Sequence, residues 1–187
     1  MASRRLIVGM TGATGAIYGL RLLEALRAQR VETHVVVSKW AQQTIAHETG
    51  LGSDAVKELA SVWHAPGDMG ASISSGSFRT DGMVVVPCSV GSLGAIASGA
   101  HQHLIHRAAD VTLKERRKLV LVVRETPLSP IHLRNMLTLA ECGAVILPPM
   151  PAFYNVPRTI EDQVAHVVGR ILDQFGLEAP DAKRWDG

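Results

Sequence analysis

Two cysteines, Cys88 and Cys142, are all that this chain of 187 residues carries, and they form no C-x-x-C. That excludes a disulfide framework and a paired-thiolate zinc or redox site. Apolar neighbours on both predict reduced, buried thiols and a cytoplasmic protein. Charge of one sign is also lacking: 19 Lys and Arg against 17 Asp and Glu leave +2, too little to mark a nucleic-acid surface. No apolar run approaches the length of a membrane span. Arg4-Arg5 before an apolar stretch is no signal peptide, because glycines and threonines break the stretch. A G-x-x-x-x-G-K-[ST] loop is missing. His47-Glu48 is not H-E-x-x-H, since no second His follows at the required place. Only His103 and His106 of the His101–His106 cluster share a helical face, and no Cys or carboxylate pattern completes a set, so no metal is expected. Ser89 has no His–Asp arrangement that would make a hydrolase triad.

What is present starts at the amino end. The apolar strand Leu6-Ile7-Val8 runs into Gly9-Met10-Thr11-Gly12-Ala13-Thr14-Gly15, and a helical pattern follows from Ala16 to Ala28. Glycines at spacing three between strand and helix let a backbone approach a ligand closely. The first N–H groups of the helix favour an anion there. The same turn also fits a tight packing connection with no ligand.

Strand and helix patterns then alternate. Glu32–Val37 reads as a strand, Trp40–Glu48 as a helix and Val56–Trp63 as a shorter helical stretch. Asp68–Thr80 reads as a loop with a short strand at most. Gly82–Val86 is a buried strand stopped by Pro87, and Cys88–Ser92 forms the next turn. Ser92–Gly99 and Leu104–Lys114 are helical, and Leu119–Val123 is apolar strand. Ser129–Cys142 is a helix with Ser129 as cap, Pro130 in its first turn and Gly143 closing it. Ala144–Leu147 is a last strand, and Thr159–Phe175 a helix opening on a Thr159/Asp162 capping box. Four or five apolar strands with helices between them predict an α/β fold, a three-layer, doubly wound parallel sheet of Rossmann or flavodoxin-like type. One domain spanning 1–187 is expected, with a loose tail at 180–187.

Ligands in such sheets bind beyond the carboxyl ends of the strands. Those ends are Gly9–Gly15, Ser38-Lys39, Pro87–Ser92, Arg124–Pro127 and Pro148–Tyr154. A dinucleotide site wants G-x-G-x-x-G and an acid after the second strand. Here the spacing is G-x-x-G-x-x-G and Ser38-Lys39 stands where the acid belongs. No Tyr-x-x-x-Lys pair exists. A mononucleotide such as FMN fits better, with Gly12–Gly15, Ser38 and the Ser89–Ser92 turn as its cradle. Both serines also fit as helix caps. Arg124 offers a fork for phosphate and Glu125 an acid or base, or the two form an ion pair. Lys114–Lys118 reads as a solvated charge run, and Phe153-Tyr154 as core or as a hydroxyl within reach of phosphate.

Six segments together resemble the UbiX-like flavin prenyltransferases: Gly9–Gly19 (GMTGATGAIYG), Ser72–Phe78 (SISSGSF), Pro87-Cys88-Ser89, Ala108–Arg117 (AADVTLKERR), Arg124–Leu128 (RETPL) and Pro148–Tyr154 (PPMPAFY). Ser38-Lys39-Trp40-Ala41 and Phe78–Gly82 lie closer to the branch that accompanies hydroxyarylic-acid (vanillate-type) decarboxylases. The resemblance implies a flavoprotein fold and metal-independent transfer of a dimethylallyl group from dimethylallyl monophosphate to N5 and then C6 of reduced FMN. The product, prenylated FMN, serves a UbiD-like decarboxylase. It further implies a homododecamer with each site at a subunit junction. By resemblance, Gly12, Ala13, Thr14, Ser38, Ser89, Val90, Gly91, Ser92 and Arg124 bind flavin. Tyr154, Arg170, Lys114, Ser74 and Ser75 bind the prenyl phosphate. Glu48, Glu125, Lys114 and Thr14 act in catalysis. Two positions depart from the family pattern: Thr14 replaces a usual Ser, and Gly91 a usual Lys. The competing expectations are a flavin-dependent decarboxylase of related fold and a non-catalytic FMN carrier.

Overall fold

Strands that are apolar at nearly every position need cover on both faces, and the helices supply it. In the computed structural model, which describes residues 4–179, six parallel strands form one sheet. They are β1 (Arg5–Met10), β2 (Glu32–Val37), β3 (Val62–His64), β4 (Gly82–Cys88), β5 (Lys118–Val123) and β6 (Val145–Ile146), ordered β3-β2-β1-β4-β5-β6. Seven helices are described: α1 (Ala16–Ala28), α2 (Lys39–Thr49), α3 (Ser53–Leu59), α4 (Val90–Ala97), α5 (Leu104–Lys114), α6 (Pro130–Glu141) and α7 (Ile160–Gln174). The pleat sorts the strand residues into two cores. Leu6, Val8, Met10, Val84 and Val120 pack with α1, α2, α3 and α7. Ile7, Met83, Val85, Leu119 and Leu121 pack with α4, α5 and Leu139 of α6. The order reverses direction between β1 and β4, so a crevice opens at their carboxyl ends.

Four local expectations need correction. Trp63 does not continue a helix: α3 ends at Leu59, and Val62–His64 pairs with His34–Val36 as an edge strand. Sheet pairing of a β-branched and an aromatic residue wins over the helical spacing. Residues 68–80 form a loop as expected, with a 3-10 turn at Ser72–Ser74 that buries Ile73. Pro87 does not stop β4, which continues to Cys88. The register with β5 slips between Val85 and Cys88, so the missing proline N–H falls at an irregularity. Helix α4 starts at Val90 rather than Ser92, with Ser89 as its cap. Cys88 is buried as expected, but Cys142 is exposed at the end of α6, whose only buried residue is Leu139.

Candidate active site

The crevice is laced shut by Thr11. Its hydroxyl donates to the Pro87 carbonyl at 2.9 Å and accepts from the Ser89 N–H at 2.8 Å. Ser89 Oγ then accepts from Ser92 N at 3.3 Å, and Ser38 Oγ from Ala41 N at 3.1 Å. Both serines therefore cap a helix, which leaves each O–H hydrogen to donate to a ligand. Gly12, Ala13 and Thr14 follow β1, Ser38 follows β2 and Ser89–Ser92 follow β4, so all stand at the carboxyl ends of neighbouring strands. Arg124 joins them, its N–H donating to the Cys88 carbonyl at 3.0 Å.

The N–H groups at the start of α1 are not free, contrary to the sequence expectation. The Glu48 carboxylate, from the far end of α2, accepts from Gly15 N at 3.0 Å and Ala16 N at 2.8 Å. The anion that the helix start favours is supplied by the chain itself. Glu48 also fixes the backbone beside Thr14. Gly15 adopts φ 97°, the left-handed region that suits glycine. A Cβ on Gly12 would stand 2.5 Å from Cβ of Trp40, so this turn closes directly over α2. Trp40 is 68% exposed beside it and offers a flat apolar wall. Gly91 has open space where other residues would place a side chain, with only Ser89 Oγ at 4.0 Å. These features fit a flat mononucleotide: a backbone cradle without side chains, an aromatic wall and several hydroxyl donors.

Sequence reasoning missed Trp40 and Tyr18. Burial raises the Tyr18 phenol, and the Arg124 charge opposes that shift, so the two groups sense each other. Glu125 is exposed and accepts from its own neighbour, Thr126 N, at 3.0 Å. The Cys88 thiol is pushed up to about 12 by burial, so it is no nucleophile.

The remaining expected residues lie elsewhere on the chain. Lys114 ends α5, at the amino-terminal edge of the sheet, and pairs with Glu115 against Gly76. Its hydrogen bond, and then its charge, hold the Glu115 carboxyl below its ordinary range. Arg117 ties down the same loop through the Phe78 and Gly76 carbonyls, both at 2.7 Å. Ser74 offers its carbonyl to Arg107 at 3.2 Å on the flank of α5, and Ser75 meets Ser77 at 2.9 Å. The length of β5, about 20 Å, separates Lys114 from Arg124. Tyr154 and Arg170 occupy a third position, beside edge strand β6. The Tyr154 ring stands edge-on to His166 at 5.7 Å, and His166 and Arg170 line a cavity of 250 Å³ with Pro148 and Met150. Arg170 is also bonded to Asp173 at 3.1 Å. Burial and then the Arg170 charge lower the His166 imidazole, against the Asp173 charge. One chain therefore holds the expected site in three pieces.

Comparison with known proteins bears on these pieces. The family model described as Flavoprotein matches residues 1–172. A probable UbiX-like flavin prenyltransferase of Streptomyces sp. (strain D7) is 64% identical over 184 residues, 98% of this chain and 92% of its own. The crystal structure of AnUbiX in complex with FMN and dimethylallyl pyrophosphate is 57% identical, with a TM-score of 0.98 over 99% of this chain and 98% of that one. A dodecameric FMN-dependent Ubix-like decarboxylase from Escherichia coli O157:H7 is 60% identical, with a TM-score of 0.96 over 98% of this chain and 100% of that one.

Proposed function

This chain belongs to the UbiX-like flavin prenyltransferases of the flavoprotein family, and from that premise we propose that it transfers a dimethylallyl group from dimethylallyl monophosphate to N5 and C6 of reduced FMN. The observation that carries the reading is the crevice between β1 and β4, with its side-chain-free turn at Gly12, its aromatic wall at Trp40 and its hydroxyls at Ser38 and Ser89. Reduced FMN is a substrate: its N5 bonds the allylic carbon and gives up its own proton, and its C6 then bonds the far carbon of the allyl double bond once that double bond has taken up a proton. Gly12, Ala13, Thr14, Ser38, Arg124 and the α4 start from Ser89 to Ser92 hold it. The allylic C–O bond breaks with both electrons leaving on phosphate. Lys114, Arg124, Arg170 and the Tyr154 hydroxyl meet that charge as it develops. Glu125, exposed next to Arg124, takes the proton that C6 releases on ring closure. Glu48 holds the Thr14 turn and serves proton transfer from there.

These roles require neighbouring copies. Lys114 with Ser74 and Ser75, and Tyr154 with Arg170, reach the crevice only from other subunits. Exposed Ile131, Leu133 and Leu137 on α6, and Met150, Phe153, Val156 and Ile160 near β6, give the apolar surface such contacts bury. A homododecamer is the assembly this reading takes. The product passes to a UbiD-like decarboxylase, and the protein works in the cytoplasm as one domain without a metal. No helix among the described residues is long and apolar enough to cross a membrane.

The test is anaerobic incubation with reduced FMN and dimethylallyl monophosphate, followed by mass measurement of the extracted flavin. A flavin heavier by one dimethylallyl group, less the N5 hydrogen that it replaces, supports the transferase. Unchanged flavin refutes it. A substrate acid that loses CO2 without prenyl phosphate identifies the decarboxylase reading, and binding without any reaction the carrier.

A further inference from the structure

His106 lies under the flavin crevice and has no part in the chemistry above. It sits on α5 with 1% of its surface exposed, and its Nε2 is 3.2 Å from Ser92 Oγ. Its Nδ1 is buried with no hydrogen-bond partner among the described residues. The His103 ring leans against it, tilted by 31° with centroids 3.8 Å apart, and His101 completes the run by pairing with Asp110 at 3.2 Å. Arg107, also bonded to Asp110 at 3.0 Å, and Lys114 at the end of the helix are the cations of α5.

The tautomer follows from the orphaned nitrogen. A buried N–H without an acceptor is rarer in folded proteins than an unfilled lone pair. The proton therefore sits on Nε2, and Nδ1 keeps its bare lone pair. Ser92 Oγ must then accept from His106. Its own hydrogen is then left to donate. We propose that His106 is a positioning residue for flavin binding: its Nε2–H fixes the Ser92 hydroxyl as a donor to the phosphate of bound FMN. Burial, with help from His103 and His101, pushes the His106 imidazole down to about 4, so the arrangement holds at neutral pH without adding charge. Residue by residue, hydrogen bonds link the turn after β1 to α5: Ser89 N donates to Thr11 Oγ1, Ser92 N to Ser89 Oγ, and His106 Nε2 meets Ser92 Oγ.

This inference rests on the flavin-site reading, and its test separates the two. FMN affinity is measured by fluorescence quenching on the assembled protein for wild type, H106L, H106Q, S92A and H106L/S92A, each checked by thermal melting. The loss of one charge-assisted donor weakens FMN about fivefold in H106L and in S92A. The double variant binds no more weakly than S92A, because both changes remove one interaction. H106Q, a neutral donor, binds within about twofold of wild type. Wild-type affinity in H106L, or additive losses in the double variant, overturns the inference. If H106L fails to fold, H106M gives the same readings. Unchanged affinity in S92A while wild type still makes prenylated flavin overturns this inference alone. The expected coupling in a protein that leaves flavin unchanged supports it and overturns the transferase.

Discussion

Replacing Glu48 separates its two roles. Its carboxylate accepts from Gly15 N at 3.0 Å and Ala16 N at 2.8 Å and places a negative charge at the start of α1. A helix cap contributes about 0.5–2 kcal/mol, and a charge at the helix start about 0.3–1 kcal/mol more. Glu48→Ala therefore costs about 2 kcal/mol, which for a chain of this size lowers Tm by about 4–8 °C. Glu48→Gln keeps an oxygen acceptor but not the charge, so it loses about half of that. Calorimetry reads the melting shift, and amide hydrogen exchange reads protection at Gly15 and Ala16. Both amides should exchange faster in Glu48→Ala. In Glu48→Gln, turnover should fall by far more than the stability loss accounts for, because a carboxamide cannot carry the proton. Unchanged melting and unchanged exchange in Glu48→Ala would refute the capping account. Full turnover in Glu48→Gln would refute the proton role.

Gly12→Ala drives a methyl to 2.5 Å from Cβ of Trp40, so the start of α2 must move; FMN affinity should drop at least about tenfold with about 1–3 kcal/mol of stability, and normal FMN titration would contradict the cradle. His106 titrates at about 4 in the fold against an ordinary 6.5, so the unfolded chain binds the proton first. The contribution of His106 to stability is complete above about pH 6.5 and is lost as pH drops through about 4; H106Q should shallow that slope in denaturant titrations, and an identical slope would refute the assignment. Arg170→Ala should raise KM for dimethylallyl monophosphate about tenfold or more while leaving FMN affinity near wild type. Equal loss for both ligands in steady-state kinetics would contradict its placement at the prenyl phosphate.

The parts of the site legible in sequence are those made by neighbours in the chain. The β1 turn and α1 follow from glycine spacing and helical periodicity, and Ser38, Ser89, Ser129 and Thr159 each cap the helix that their position predicts. Val62–His64 was not legible because three residues carry too little pattern, and its pairing with β2 decides the matter. Glu48 meets Gly15 across 33 residues, a contact no local pattern records. Lys114 and Arg124 are ten positions apart in sequence but lie at opposite ends of β5, a separation that only the strand between them creates. Local pattern alone places Arg170 on an exposed helix face. The i,i+4 pair His166 and Arg170 is the one signal of the cavity beside β6, and only the fold gives it meaning.

That division of the site is the claim on which the account stands, and subunit complementation tests it directly. Arg124→Ala disables the strand-end crevice, and Lys114→Ala disables the opposite edge. Each variant alone should be nearly inactive. Oligomers assembled randomly from an equal mixture should recover about a quarter of wild-type prenyl transfer, because some sites then draw an intact Arg124 and an intact Lys114 from different chains. Activity of the mixed oligomers no higher than that of the two parents would show that a single chain holds both groups, and would contradict the account.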